Sequence, residues 1–337
     1  MMPYLALLDE QLARPEPAFD APLVADLFAG CGGLALGFES AGFRTIGYEL
    51  HENPATTYAK NLSGECVQTR LTVESEIADA DVIIGGPPCQ PFSVNGHQRG
   101  RSDERDGFPA FLAAVQKVNP RIALFENVRG MLYRNKPYLT RIMGRLQELG
   151  YSVDPRVVNT VHYGVPQRRE RLVVVATRDL RFSFPSHQPK FTAGDALGEL
   201  ASTGLPDSKF LTASMDAYIE RYETKSACRR PRDLHLDQPS RTVTCRNLAG
   251  ATGDMMRVRL PDGRRRRLTV REGARLQSFP DWFDFVGSEA SQFEQVGNAV
   301  PPMFGKAIAR EVWAAIKGEP PLPDWMEPSD GQLTLLR

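Results

Sequence analysis

The chain of 337 residues is poor in the groups that mark several protein classes. Cysteine occurs five times, as Cys31, Cys66, Cys89, Cys228 and Cys245, and no two stand at CxxC spacing. An odd count at wide spacing argues against a disulfide framework or a zinc site and fits a reducing compartment. No metal is expected. Net charge is absent, since 41 basic residues balance 41 acidic ones, so the total charge gives no sign of a polyanionic partner. No apolar run reaches membrane-spanning length, and the N-terminus lacks a charged-then-apolar signal pattern. The expectation is therefore a cytoplasmic protein without membrane contact. Phosphate-binding signatures are missing too: there is no GxGxxG and no GKS/T loop.

What is present is a composition that buries a core, with 42% hydrophobic and 24% charged residues. Strand candidates Leu23–Phe28, Thr45–Glu49, Asp81–Ile84, Ile122–Phe125 and Leu172–Ala176 alternate with helical stretches, notably 34–41, 53–61 and 108–118. Asn53 is the expected cap of the second of these, with Pro54 at its first position. Strands alternating with helices predict an α/β fold, a doubly wound and mostly parallel sheet. After Arg178 this rhythm fades into short apolar runs with many Pro, Ser, Thr and Arg, which reads as a smaller, irregular second domain. Thr269 and Glu272 form a capping box for a helix reaching Leu276. A last helix, from about Pro302 to Lys317, is expected to pack back on the first domain. Two basic clusters stand out, Arg229-Arg230 with Arg232, and Arg257 to Arg275 around Arg264-Arg265-Arg266-Arg267. Such clusters fit either nucleic-acid binding through one face or solvated surface charge.

Ligands of doubly wound sheets bind beyond the carboxyl ends of the strands. Phe28, Glu49, Cys89 and Glu126 all fall at or just past such ends. Cys89 lies in Gly85-Gly86-Pro87-Pro88-Cys89-Gln90-Pro91-Phe92-Ser93, a proline-stiffened turn suited to presenting a sulfur nucleophile. The turn Gly30-Cys31-Gly32-Gly33 lets backbone approach a ligand, and Glu49 stands where an acid holds a ribose diol. Together they predict a nucleoside cofactor without a triphosphate. Glu126 is either a helix cap or a proton donor, and Arg169 and Arg171 either hold a carbonyl or phosphate or form surface ion pairs.

These segments, in this order, resemble the DNA (cytosine-5)-methyltransferase family of bacterial type. The resemblance covers Asp26–Gly33, Pro87–Ser93, Glu126-Asn127-Val128, Gln167–Arg171, Arg267–Pro280 and Gln295–Pro302. It implies S-adenosylmethionine held by Phe28, Gly30, Cys31, Gly32, Gly33, Glu49, Leu50, Pro88, Asn298, Ala299 and Val300. It also implies duplex DNA as partner, with a cytosine extruded because its C6 is unreachable in the stack. By the same resemblance Cys89 attacks C6, Glu126 protonates N3, and Arg171 holds O2 with Arg169 beside it. Ser93, Arg99, Arg241, Thr242 and Arg246 are the implied DNA contacts, and Asn95–Asp106 the implied lid. One departure stands out. Where the family carries an acid for the adenine amino group, this chain has Gln68-Thr69-Arg70-Leu71.

The implied organisation is a catalytic domain over 20–178 completed by 290–320, a target-recognition domain over 179–265 and a hinge region over 266–289. A monomer is expected, with a restriction endonuclease as functional counterpart and the nucleoid of a prokaryote as setting. Three alternatives are weighed against this. A tRNA-methylating branch carries Thr where Ser93 stands. An inactive homologue has no reason to keep Cys89, Glu126 and Arg171. A nicotinamide oxidoreductase should show GxGxxG.

Overall fold

A computed structural model describes residues 3–88, 106–133, 135–204, 208–225, 232–250 and 253–318. In chain order its elements begin α1 (Tyr4–Gln11), β1 (Leu23–Leu27), α2 (Gly33–Glu39), β2 (Arg44–Glu49), α3 (Glu52–Asn61), β3 (Cys66–Gln68) and β4 (Val82–Gly85). They continue with α4 (Phe108–Val118), β5 (Ile122–Val128), α5 (Lys136–Glu148), β6 (Ser152–Asn159), β7 (Gln167–Arg168) and β8 (Glu170–Thr177). The rest are α6 (Ala193–Leu197), α7 (Ala213–Lys225), β9 (Ser240–Arg241), α8 (Cys245–Ala249), β10 (Arg257–Arg259), β11 (Arg265–Arg267), α9 (Val270–Leu276), α10 (Glu289–Asn298) and α11 (Pro302–Lys317).

Seven strands form the central sheet in the order β3-β2-β1-β4-β5-β8-β6. The first five run parallel; β8 lies antiparallel to both β5 and β6. This is the expected doubly wound, mostly parallel sheet. Its inner strands are apolar because helices cover both faces: Val24, Ala25, Leu27, Val82, Ile83, Ile84, Val173 and Val174 are wholly buried. Each such Val, Leu or Ile contributes roughly 1.5–3 kcal/mol on burial. Two strands of this sheet escaped the sequence reading, as did the short β7, β9, β10 and β11 outside it. The edge strand β3 is short and exposed at Val67 and Gln68, and β6 has several exposed residues, so neither shows an apolar run.

Register aligns the strand ends. Tyr48, Leu27, Gly85 and Phe125 lie in one row across the four neighbouring parallel strands. Glu49, Phe28 and Glu126 each follow immediately after that row. The β1–β4 junction is also where strand order reverses, the position at which doubly wound sheets take their ligands.

α11 starts at Pro302 and ends at Gly318 in the left-handed conformation (φ 69°), the expected punctuation of a helix. It returns to pack on α2 at a glycine crossing. A Cβ on Gly37 would sit 2.3 Å from the Lys306 backbone nitrogen, so nothing larger fits. The cap of α3 is a correction: the helix begins at Glu52 behind His51, and Asn53 instead donates to Ser291 on α10 at 3.1 Å.

The basic cluster is also a correction. Arg257, Arg265 and Arg266 are buried rather than presented on a face. Asp233 accepts from Arg257 (2.6 Å), Arg265 (3.0 Å) and Arg259 (3.2 Å), which ties β10 and β11 to the preceding loop. Burial pushes the Asp233 carboxyl up, but the arginines around it outweigh this and its pKa falls below the ordinary value. Arg266 and Glu272 form a bidentate pair at 2.7 and 2.8 Å with both side chains fully inaccessible. The Glu272 carboxylate also closes the capping box of α9 by accepting from the Thr269 backbone at 2.8 Å. Replacing Arg266 by Ala should lower the free energy of unfolding by about 3–5 kcal/mol, because it strands the buried carboxylate. The pair Arg266→Met with Glu272→Leu should recover most of that loss. Urea denaturation checks both, and a single variant as stable as the parent would refute the account.

Candidate active site

Glu126 and Arg171 meet past the row of strand ends. In the β5–β8 register Glu126 faces Val173 and Arg171 faces Val128, so the two side chains are diagonal neighbours on one face. Arg171 Nε lies 2.7 Å from Glu126 Oε1, and both side chains are mostly buried, at 15% and 13% exposure. A carboxyl and a guanidinium so held present a proton-transfer group and a fork of donors to one planar ligand edge.

The next residue anchors the proline turn. Asn127 donates through Nδ2 to the Pro87 carbonyl at 2.8 Å, and its Oδ1 accepts from the Val128 backbone at 2.9 Å. The Pro88 carbonyl in turn accepts from Gly107 N at 3.0 Å. A Cβ on Gly107 would meet Pro88 Cδ at 2.5 Å and the Phe28 ring at 2.9 Å, so only glycine allows this closure. Cys89, Ser93, Arg99 and most of the expected Asn95–Asp106 lid lie outside the described residues. Pro88 and Gly107, on either side of the undescribed stretch, are joined directly by the hydrogen bond above.

The cofactor side is built on the Gly-rich turn. Phe28 follows β1 with φ at 61°, a conformation rare for a bulky residue and costing of order 1–3 kcal/mol. Glu49 is buried and accepts from Gly30 N at 2.9 Å and from His51 N at 2.8 Å, one bond to each oxygen. Each oxygen keeps a lone pair for a further donor such as a ribose hydroxyl. Among the described residues, a Cβ added to Gly30 or Gly86 would meet nothing within 4 Å. Leu50 is 40% exposed and free to lie on a flat ligand. Beneath Glu49, Asp26 is buried, and its pKa is raised well above the usual range by burial first and then by the Glu49 charge.

Several expected residues also make internal contacts. Gly32 and Gly33 serve internal packing: a Cβ on Gly32 would sit 2.3 Å from Leu62 Cδ1, and one on Gly33 2.4 Å from the Val300 carbonyl. The Cys31 thiol is buried against the Gln295 carbonyl, and burial raises its pKa to about 12. Its side chain therefore faces the core. Asn298 is exposed, whereas Ala299 is buried and Val300 partly so. Arg169 lies near enough to Arg171 and Glu126 to feel both charges, but its own hydrogen bonds go elsewhere. The strand is broken between β7 and β8 at that residue, and its guanidinium is buried against the carbonyls of Val243 (2.8 Å) and Gly297 (3.3 Å). Burial lowers its pKa to about 9, with the Arg171 charge adding to the effect.

In the segment after β8, β9 pairs parallel with β7, matching Arg241 to Arg168. Thr242 donates to the Arg168 carbonyl at 2.7 Å, which sets the segment near β8. Arg241 and Arg246 each contact Asp254 at 3.3 Å, and Arg232 pairs with the same carboxylate. Three guanidiniums on one carboxylate leave excess positive charge, and Arg246 is 75% exposed. Among the described residues no group of three or more His, Cys, Asp or Glu could hold a metal, and no helix is long and apolar enough to cross a membrane.

Solved structures share this architecture. A Spodoptera frugiperda DNMT2 mutant superposes with a TM-score of 0.66 at 17% identity, covering 88% of this chain and 100% of that one. The Entamoeba histolytica methyltransferase EhMeth gives 0.67 at 18%, covering 88% and 99%. The fold is thus that of the mixed α/β methyltransferases. The signature of the C-5 cytosine-specific DNA methylases matches residues 23–314, and the chain belongs to that family. It is a DNA (cytosine-5) methyltransferase by this membership. Similar relatives include the Type II methyltransferase M.AplI of Arthrospira platensis, 56% identical over 318 residues (93% of this chain, 92% of that one). M1.HphI of Haemophilus parahaemolyticus is 34% identical over 327 residues, 85% of each chain.

The sequence reading passed over Asn127, although it adjoins Glu126. Asn127→Ala should cost about 1 kcal/mol of stability for the lost hydrogen bond. It should lower the methyl-transfer turnover at least about tenfold by freeing the proline turn, the reach of a misplaced reacting group. Single-turnover kinetics alongside thermal unfolding check this; unchanged turnover would remove the anchoring role.

Proposed function

We propose that this protein methylates C5 of a cytosine swung out of a specific duplex DNA sequence, using S-adenosylmethionine and a covalent bond from Cys89 to C6. The observation that carries the reading is the Glu126–Arg171 pair, fixed on β5 and β8 beside the anchored Pro87-Pro88 turn. The cofactor fits the residues present: room among the described residues beside Gly30 and Gly86, a Glu49 carboxylate with spare lone pairs, and an exposed Leu50. Phe28, Pro88 and the 298–300 segment complete that pocket. When bound, the cofactor supplies the methyl group.

The chain's own groups do the rest. The Cys89 thiolate adds to C6 while the Glu126 carboxyl donates a proton to N3, so the pushed electron density does not leave a full negative charge on the ring. Arg171 holds O2 through charge-assisted hydrogen bonds. After C5 is methylated, loss of its proton to a base restores the double bond, Cys89 leaves as thiolate, and N3 returns its proton to Glu126. Ser93, Arg99, Arg241, Thr242 and Arg246 are assigned to the DNA, with 179–265 as recognition domain, 20–178 and 290–320 as catalytic domain, and 266–289 as hinge. The Type II names of the relatives support a place in restriction-modification, with an endonuclease as counterpart. A monomer acting in the prokaryotic cytoplasm completes the reading.

Cys89→Ser should abolish methyl transfer while cofactor affinity stays within about twofold, since the sulfur's nucleophilicity is what is lost. A duplex carrying 5-fluorocytosine at the target should trap a covalent adduct with the parent enzyme, as fluorine cannot leave as a proton does. Bisulfite sequencing and denaturing electrophoresis provide the readouts, and full turnover by the serine variant would end the mechanism. Arg246→Ala should weaken binding to duplexes of any sequence similarly and reduce the slope of log affinity against log salt by about 1. Anisotropy titrations at several salt concentrations check this, and an unaltered slope counts against a phosphate contact.

A further inference from the structure

Three polar side chains are sealed where the catalytic strands, the recognition segment and the C-terminal helices meet. Gln167 and Gln277 have no accessible surface and Arg169 is 3% exposed. Gln167 accepts from Val243 N at 2.8 Å and donates to Gln277 Oε1 at 2.7 Å and to the Leu276 carbonyl at 3.2 Å. Gln277 passes the connection on, donating to the carbonyls of Val296 (2.6 Å) and Ala299 (3.3 Å). Arg169 closes the circuit between the carbonyls of Val243 and Gly297. Both backbone polar groups of Val243 are therefore held by side chains from the β7–β8 junction.

The two ends of this network touch different parts of the site. Val243 follows Thr242 on the segment assigned to DNA. Residues 295–300 carry the wall assigned to the cofactor, and Val300 presses on Gly33 of the Gly-rich turn. The approach is close: a Cβ on Gly297 would lie 2.0 Å from Cys245 N, so α10 and the start of α8 meet backbone to backbone. Buried hydrogen-bonded groups of this kind adopt discrete arrangements, since a half-broken network leaves unsatisfied polar atoms in a dry interior. A shift of the 295–300 wall must then either carry Val243 with it or break these bonds.

We propose that Gln167, Arg169 and Gln277 are positioning residues that join the cofactor wall to the DNA-facing segment as one unit, so that cofactor and DNA bind cooperatively. This rests on the function proposed above. Arg169 here acts through two backbone carbonyls and not on the base.

The test is a linkage cycle. Affinity for a target-containing duplex is measured with and without saturating S-adenosylhomocysteine. The parent enzyme should bind DNA at least about fivefold tighter with the cofactor product present. In Gln277→Leu and in Arg169→Lys, which keeps the charge but offers one donor group in place of a fork, this factor should fall below about twofold. Affinity for S-adenosylhomocysteine alone should change less than the coupling does. An undiminished factor in folded variants overturns the proposal, as does a parent with no coupling. Hydrogen exchange of the parent provides a measurement independent of variant folding. S-adenosylhomocysteine alone should slow exchange at the Val243 amide, and no change there also overturns it. Methylation by the parent enzyme, read separately, tells failure of this inference from failure of the function itself.

Discussion

The parallel pairing of β1 with β4 is the constraint on which the site depends. It brings Leu27 level with Gly85, and a Cβ on Gly85 would lie 2.5 Å from the Leu27 carbonyl. That close approach sets the Gly-rich turn and the proline turn side by side at the point where strand order reverses. The β4–β5 pairing then brings Glu126 to the same level, and the antiparallel β8 runs Arg171 back toward it. A one-residue slip in any of these pairings would turn the side chains to the opposite face of the sheet.

Charge is used in two different ways in this chain. The most basic stretch of the sequence is largely internal: Arg257, Arg265 and Arg266 are consumed by Asp233, Asp216 and Glu272. Among the described residues Arg246, beside Asp254, keeps 75% of its side chain exposed. Runs of arginine are therefore poor guides to a nucleic-acid face. The identity of the buried partner decides, and for Arg257 and Arg265 that partner is 24 to 49 residues away.

Much of the fold was legible locally. The apolar strands, the capping box at Thr269 and Glu272, and the proline start of α11 each follow from short-range chemistry and were placed within a residue or two, except that β5 runs three residues past the expected Phe125. β3 and β6 were not, because edge strands gain their order from one neighbour and need no apolar pattern of their own. The Asn53 cap failed for a related reason: Ser291, distant in sequence, competes for its amide. In the site, Glu49, Glu126 and Arg171 could be named from position and motif. Gln167, Gln277 and the anchoring role of Asn127 could not, since an amide shows its importance only through partners that folding supplies.

By itself the sequence determined the chemistry available: a sulfur in a stiff turn, acids at strand ends, and glycines where backbone turns sharply. Motif order then identified the family. Tertiary structure decided how those groups are used. It sent the Cys31 thiol and the Arg169 guanidinium inward, packed Gly32 and Gly33 against internal neighbours, and left room beside Gly30 among the described residues. The physical reason is that local sequence sets backbone preference and side-chain type, whereas burial and hydrogen-bond partners depend on segments that meet only after the sheet closes.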